Sequence, residues 1–287
     1  MRPVDVARLV LLAALWGGSF AFMRFLAPVL GAPITADGRL LVGGFALLLW
    51  FRFTGVKTEP RRWWRLYSAI GLVNSALPFL LFAWASRHLP AGYTAILNGT
   101  TPLFGLLFAA AMLGERITPR AVAGMLLAVA GVAVIVNPAR GELTATLLLA
   151  IAACLLAAAS YAYAGVFIRR QQDGPSPSAQ AAMSQVCSGL ILLPLALANP
   201  PQAEVTGLVL LCLVGLGVLS SGWAYMLYFR LLADVGATRA LTVTFLNPVF
   251  AVLWAALFLG EALTLTMVGG GALVLAGTWM VVSRRGR

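Results

Sequence analysis

Negative charge is scarce in this chain. Its 287 residues include nine Asp and Glu, one His and three Cys. No acid falls in the middle of an apolar run, so none stands where a proton-antiport mechanism usually places its titratable group. The single histidine, His88, does not build a metal site alone, and it falls too near the end of an apolar run to serve as a base for Ser220-Ser221-Gly222. Cys154, Cys187 and Cys212 lie inside apolar stretches, with neither metal-ligand nor secreted-disulfide spacing, and read as small packing residues. Charged residues of both signs make up only 10% of the chain, against about 25% in soluble domains.

What replaces charge is apolar surface, at 61% of the residues. A soluble protein of this size has no place to hide so much, so lipid is the solvent. At roughly 28 residues per span and loop, the length allows about ten transmembrane helices. The runs place them at 6–27, 34–53, 66–86, 90–113, 119–136, 145–168, 178–198, 206–229, 236–258 and 264–282. Turn signals separate them at Ala32-Pro33, Asn137-Pro138, Gly174-Pro175 and Asn199-Pro200-Pro201. The first run is too long for a signal peptide and lacks a clear cleavage site, so it is kept as a span.

The net charge of +11 invites a nucleic-acid reading, but the arginines sit in short clusters between apolar runs. With the N-terminus in the cytoplasm, only Arg24, Arg39, Arg87 and Arg140 of the 20 Lys and Arg fall on the outer side, leaving sixteen inside. This positive-inside asymmetry places both termini in the cytoplasm and excludes nucleic acid as a partner.

The chain also repeats itself. At an offset of 146, Pro102-Leu103-Phe104 falls on Pro248-Val249-Phe250, and Leu113-Gly114-Glu115 on Leu259-Gly260-Glu261. Between 102 and 118, nine of seventeen positions are identical. Gly71/Gly217, Ser75/Ser221 and Leu81/Leu227 extend the match, and one residue less of offset aligns Trp16 with Tyr161 and Arg24 with Arg169. The predicted units are 1–140 and 141–287, each of five spans. An odd number makes the halves cross the membrane in opposite directions, the inverted repeat of a secondary transporter with substrate held between two related halves.

Leu15-Trp16-Gly17, Arg39, the run Asn98–Gly131 and the run from Asn247-Pro248 to Gly260-Glu261 resemble the EamA type of the drug/metabolite transporter superfamily over nearly the whole chain. The resemblance implies an all-α integral membrane protein of ten helices. It implies a central cavity lined by spans one, three, four, six, eight and nine, and export of amino acids and related metabolites across a bacterial inner membrane. Small multidrug exporters, distant relatives by the same resemblance, carry a glutamate deep in span one. Here Leu9 to Met23 contains no acid, which disfavours cationic-drug antiport. No Lys or Arg pair lies at mid-depth, which disfavours sugar phosphates.

Within those spans the candidate substrate-binding residues are Trp16, Asn74, Phe79, Asn98, Tyr161, Tyr163, Tyr225, Thr244 and Phe245. An aromatic wall with a few amides and hydroxyls suits a small amphiphilic solute. The bland reading of the aromatics is lipid contact, and of the polar groups, repair of a broken helix. Pro102 and Pro248 sit near mid-span in equivalent helices, where each removes a backbone hydrogen bond, and are the candidate hinges. Glu115 and Glu261 read as structural, at a membrane boundary beside the positive ends of the helices capped by Thr118 and Thr264. Arg24, Asp37 and Arg39 read as outer-side anchors, with a vestibule for an acidic group as the sharper idea.

The function expected is a secondary transporter of neutral or zwitterionic metabolites, amino acids first, aromatic and other apolar ones included. It works by alternating access, needs no cofactor or metal, and has small solute and lipid as partners. One chain holds both halves, so a monomer suffices, and an oligomer remains open. The alternatives are a proton-coupled exporter of drugs or other metabolites, then a passive pore or a membrane-embedded enzyme.

Overall fold

Lipid offers the backbone no hydrogen bonds, so a chain immersed in it must satisfy its peptide groups within helices. The computed structural model describes residues 2–136, 144–171, 174–236, 240 and 242–283, and within them only helices and turns occur. Asn137-Pro138, Arg140, Arg239, Arg284, Arg285 and Arg287, which entered the turn and charge readings, lie outside the described residues.

Nine helical segments run through the described residues: α1 (Pro3–Thr54), α2 (Pro60–Ala85), α3 (Ala91–Leu113), α4 (Pro119–Val136), α5 (Ala145–Arg170), α6 (Pro177–Ala198), α7 (Gly207–Val235), α8 (Val243–Leu259) and α9 (Leu265–Val282). Seven of the nine are long and apolar enough to cross a membrane, and α4 and α8 are shorter apolar helices. At about 1.5 Å per residue, the 52 residues of α1 would be more than twice as long as a ~30 Å hydrocarbon core is thick. The helix is broken at Gly31, whose φ of 78° and ψ of 159° suit glycine, with Pro28 and Pro33 on either side. This break replaces the loop expected between 27 and 34. Helix starts follow local chemistry: Thr144, Ser176, Thr206 and Thr264 accept from the backbone N–H three residues on. Gly55, Gly114 and Gly260 end α1, α3 and α8 in the left-handed region.

Two segments are wound as π-helix, Leu72–Ala76 in α2 and Leu216–Trp223 in α7, and they occupy repeat-equivalent positions. The wider winding redirects carbonyls away from the regular ladder, and the other half of the chain takes them up. Ser160 Oγ donates to Val73 O at 2.6 Å, and Trp16 Nε1 to Ser220 O at 3.2 Å. Ser160 and Trp16 stand on α5 and on the first part of α1, which are themselves repeat mates.

Small residues let the helices approach closely, as membrane packing requires. α4 crosses α9 at Gly124 against Gly277 and Gly131 against Gly270, where a Cβ on any one would meet partner backbone at 2.8 Å or less. The first part of α1 lies on α8 at Gly17, and the second part on α6 and α7 at Gly43 and Gly44. The outer surface is an apolar belt that includes Phe53, Leu126, Leu197, Leu257, Phe258 and Leu265.

The bundle has two distinguishable ends. At one, Asp234 near the end of α7 gathers Arg2, Arg8 and Arg230 at 3.4, 2.7 and 3.2 Å, and Arg120 at the start of α4 donates to Ser283 Oγ beyond α9. Both described ends of the chain therefore share this basic face. Arg24 and Arg87 stand at the opposite face.

Candidate functional site

A cavity of about 600 Å³ lies among α1, α2, α3, α5, α6, α7 and α8, with the end of α9 at its rim. Its lining reaches Ile168, Pro177, Leu232 and Val282 at the ends of helices on the basic face, and runs inward to Phe20, Met23, Arg39, Phe79 and Phe82. The wall is chiefly aromatic. Trp16 meets Tyr225 edge-on at 5.9 Å and Tyr228 at 5.4 Å. Tyr161 packs between Phe79 and Phe82 at 6.2 and 6.1 Å, and Phe20 closes on Phe82 at 5.7 Å. Polar groups are few: Ser19, Asn74, Asn98, Thr101, Gln180, Ser184, Thr244 and Asn247. Arg39 is the one Lys, Arg, Asp or Glu in the lining among the described residues.

Of the residues expected at the site, Trp16, Asn74, Phe79, Asn98, Tyr161, Tyr225, Thr244 and Phe245 all line this cavity. Tyr163 does not. Two residues past Tyr161, it is turned about 200° around the helix, half-exposed against Phe108 and Phe167. The two prolines part company. α3 breaks at Gly99 and Thr100, and Pro102 lines the cavity in the first turn of the resumed helix, where a missing N–H costs nothing. Pro248 stands inside α8, buried and outside the lining. Asn98 serves the break: Thr101 Oγ1 donates to its carbonyl at 2.7 Å.

Several lining residues went unrecognised in the sequence. Ser19, Phe20 and Met23 follow Trp16 at helical spacing and share its face, and Phe82 follows Phe79 in the same way, a signal that was available. Arg39, expected as an outer-side anchor or as part of a vestibule for an acidic group, lies in the deep part of the cavity wall, away from the basic face, and is 5% exposed.

The lining stops short of the opposite face, where α1, α8 and the α2–α3 turn are joined. Arg24 Nε meets Glu261 Oε1 at 3.2 Å, and its Nη1 donates to Ser86 O and Arg87 O at 2.9 and 3.1 Å. Glu261 Oε2 accepts from Ala91 N at 2.9 Å. The network ties α1 and the end of α8 to the α2–α3 turn. Beside it, burial first and then the charges of Arg87 and Arg24 hold His88 below its ordinary value. The repeat mates of this pair also find each other, Arg169 Nη2 donating to Glu115 Oε1 at 2.9 Å on the basic face. Both glutamates thus join partners across the two halves of the sequence, beyond the helix-boundary role expected of them.

A helical bundle with an apolar belt and a solute-sized cavity open toward one face is the architecture of a membrane transporter. The chain belongs to the EamA-like transporter family, whose model matches it twice, over residues 6–137 and 148–283. It is similar to a probable terminal-alkyne amino-acid exporter of Streptantibioticus cattleyicolor, at 27% identity over 96% of this chain and 92% of that one. It is similar also to the protein PecM of Dickeya dadantii, at 25% identity over 94% and 91% of the two chains. A solved structure at 19% identity superposes with a TM-score of 0.66, covering 98% of this chain and 96% of the other, and shares the fold. The protein is a multi-pass membrane transporter.

Proposed function

We propose that the chain exports small neutral or zwitterionic metabolites, amino acids first, across a bacterial inner membrane by alternating access. In this reading ten spans form two inverted halves, 1–140 and 141–287, with both termini cytoplasmic. The break at Gly31 makes two spans of α1, and the other eight helices supply the rest. One observation carries the reading: a cavity at the seam between the halves, open at the basic face and sealed at the other by the Arg24–Glu261 network. The basic face is the cytoplasmic one by the positive-inside rule, so the conformation described is inward-open.

The aromatic wall accepts an apolar side chain, while amides, hydroxyls and helix-break carbonyls accept a polar head. The exporter of S. cattleyicolor, named for an amino acid, supports that class of solute. Pro248 and the Thr100–Pro102 break are the hinges about which the halves rearrange.

Counterflow in proteoliposomes tests the function, with radiolabelled threonine, methionine and phenylalanine and no imposed ion gradient. Label accumulating against trapped unlabelled substrate establishes an amino-acid carrier. Uptake only after a pH step establishes the proton-coupled alternative, and silence under both conditions moves the substrate to another class of metabolite.

A further inference from the structure

Arg39 is a buried cation without a counterion. Its side chain leaves α1 eight residues past the Gly31 break and enters the deep part of the cavity wall. Nε donates to Ser221 Oγ in the π-wound segment of α7 at 3.0 Å, Nη1 lies 3.8 Å from Met23 Sδ, and the guanidinium sits 3.8 Å over the Phe79 ring. These contacts fix the plane of the group and neutralise none of its charge. Among the described residues no carboxylate lies within ion-pair distance, and Nη2 has no acceptor. An arginine held at such depth is costly to insert, and arginines inside spans ordinarily pair with an acid or with backbone carbonyls. A π-face and one hydroxyl offset part of that cost.

We propose that Arg39 is the carboxylate receptor of the transport site, and that the cavity selects small monocarboxylates with an apolar or aromatic side chain. This deepens the amino-acid reading and rests on it. A guanidinium presents parallel donors that match the two oxygens of a carboxylate. With Nε held by Ser221, the Nη edge is the one left to the ligand. A single positive charge balances one carboxylate, whereas a phosphate dianion would leave net negative charge in the cavity. The ammonium of an amino acid has its own complement in the aromatic faces of Trp16 and Tyr225 and in Asn247, a lining residue whose Oδ1 is buried without a partner among the described residues.

The test is binding, measured as ligand-dependent thermal stabilisation of the purified full-length protein. The probes are phenylalanine, 3-phenylpropanoate and phenethylamine, which share a ring and differ in the head. The wild type is expected to bind the two carboxylates and to bind the amine at least tenfold more weakly. Arg39→Gln should weaken both carboxylates roughly tenfold to a hundredfold and leave the amine unchanged. Arg39→Lys, which keeps the charge and loses the fork, should fall between. Equal binding of phenylalanine and phenethylamine by the wild type refutes the proposal without recourse to any variant. Carboxylate binding that survives Arg39→Gln unchanged refutes it while leaving the amino-acid reading intact. No binding of any probe to a folded wild type removes both.

Discussion

Replacing Arg24 by glutamine should open the face that is sealed in this conformation. The substitution removes the ion pair to Glu261 at 3.2 Å and the bonds to Ser86 O and Arg87 O at 2.9 and 3.1 Å, leaving Glu261 joined to Ala91 N. A hydrogen bond to a charged group contributes about 1.5–3 kcal/mol when shielded from water. The Arg24 side chain is 32% exposed, and an exposed ion pair adds at most about 1 kcal/mol. Discounted for that exposure, and because water replaces the lost partners once the face opens, the whole network is credited with about 2 kcal/mol, a shift of about thirtyfold toward the outward-open state. The readout is a cysteine at Ser19, a buried lining position beneath the seal, on a background lacking Cys154, Cys187 and Cys212. A membrane-impermeant maleimide added outside intact cells reaches this thiol only when the outer face opens. The labelling rate should rise between tenfold and a hundredfold, and Arg169→Gln should not raise it. A rate within twofold of the parent, in protein that melts at the parent temperature, would show that Arg24 does not hold the face closed.

Gly277→Ala should destabilise the protein by about 1–3 kcal/mol, since the new Cβ runs into Gly124 O and meets Ala128 N at 2.7 Å, and backbone cannot rotate aside. Gly269→Ala, with nothing within 4 Å, should leave the melting temperature in detergent unchanged. Gly105 lines the cavity with open space beyond it, so Gly105→Leu should fold normally, retain threonine counterflow and lose phenylalanine counterflow. Pro248→Ala restores a hydrogen bond inside α8 and should slow transport severalfold, whereas Pro102→Ala, in a first helical turn, should change the rate less than twofold. His88 has a folded value below its ordinary 6.5, so the unfolded chain binds the proton first and stability falls as pH drops through that value. The group is exposed, so the fall is small; a melting series from pH 8 to pH 5 should show it, and His88→Asn should flatten it.

Composition, charge clustering and the 146-residue offset were legible without coordinates because each records a local or solvent-level constraint. Apolar length reports lipid, clustered arginines report the helix ends that gather on one face, and Thr118, Thr264, Gly114 and Gly260 mark the same starts and stops in both copies. The azimuth of each helix was not legible. Lipid tails and a bundle interior are equally apolar, so no hydrophobic stripe tells the inward face from the outward one. Tyr161 and Tyr163 therefore looked alike until packing turned one to the cavity and the other away from it. Arg39 at the cavity wall, carbonyls redirected by the π-wound segments to Trp16 and Ser160, and the cross-half pairing of Arg24 with Glu261 and Arg169 with Glu115 depend on helices far apart in sequence meeting at fixed depth. Residue types and spacing along one helix carry no record of that meeting, and tertiary structure alone decided it.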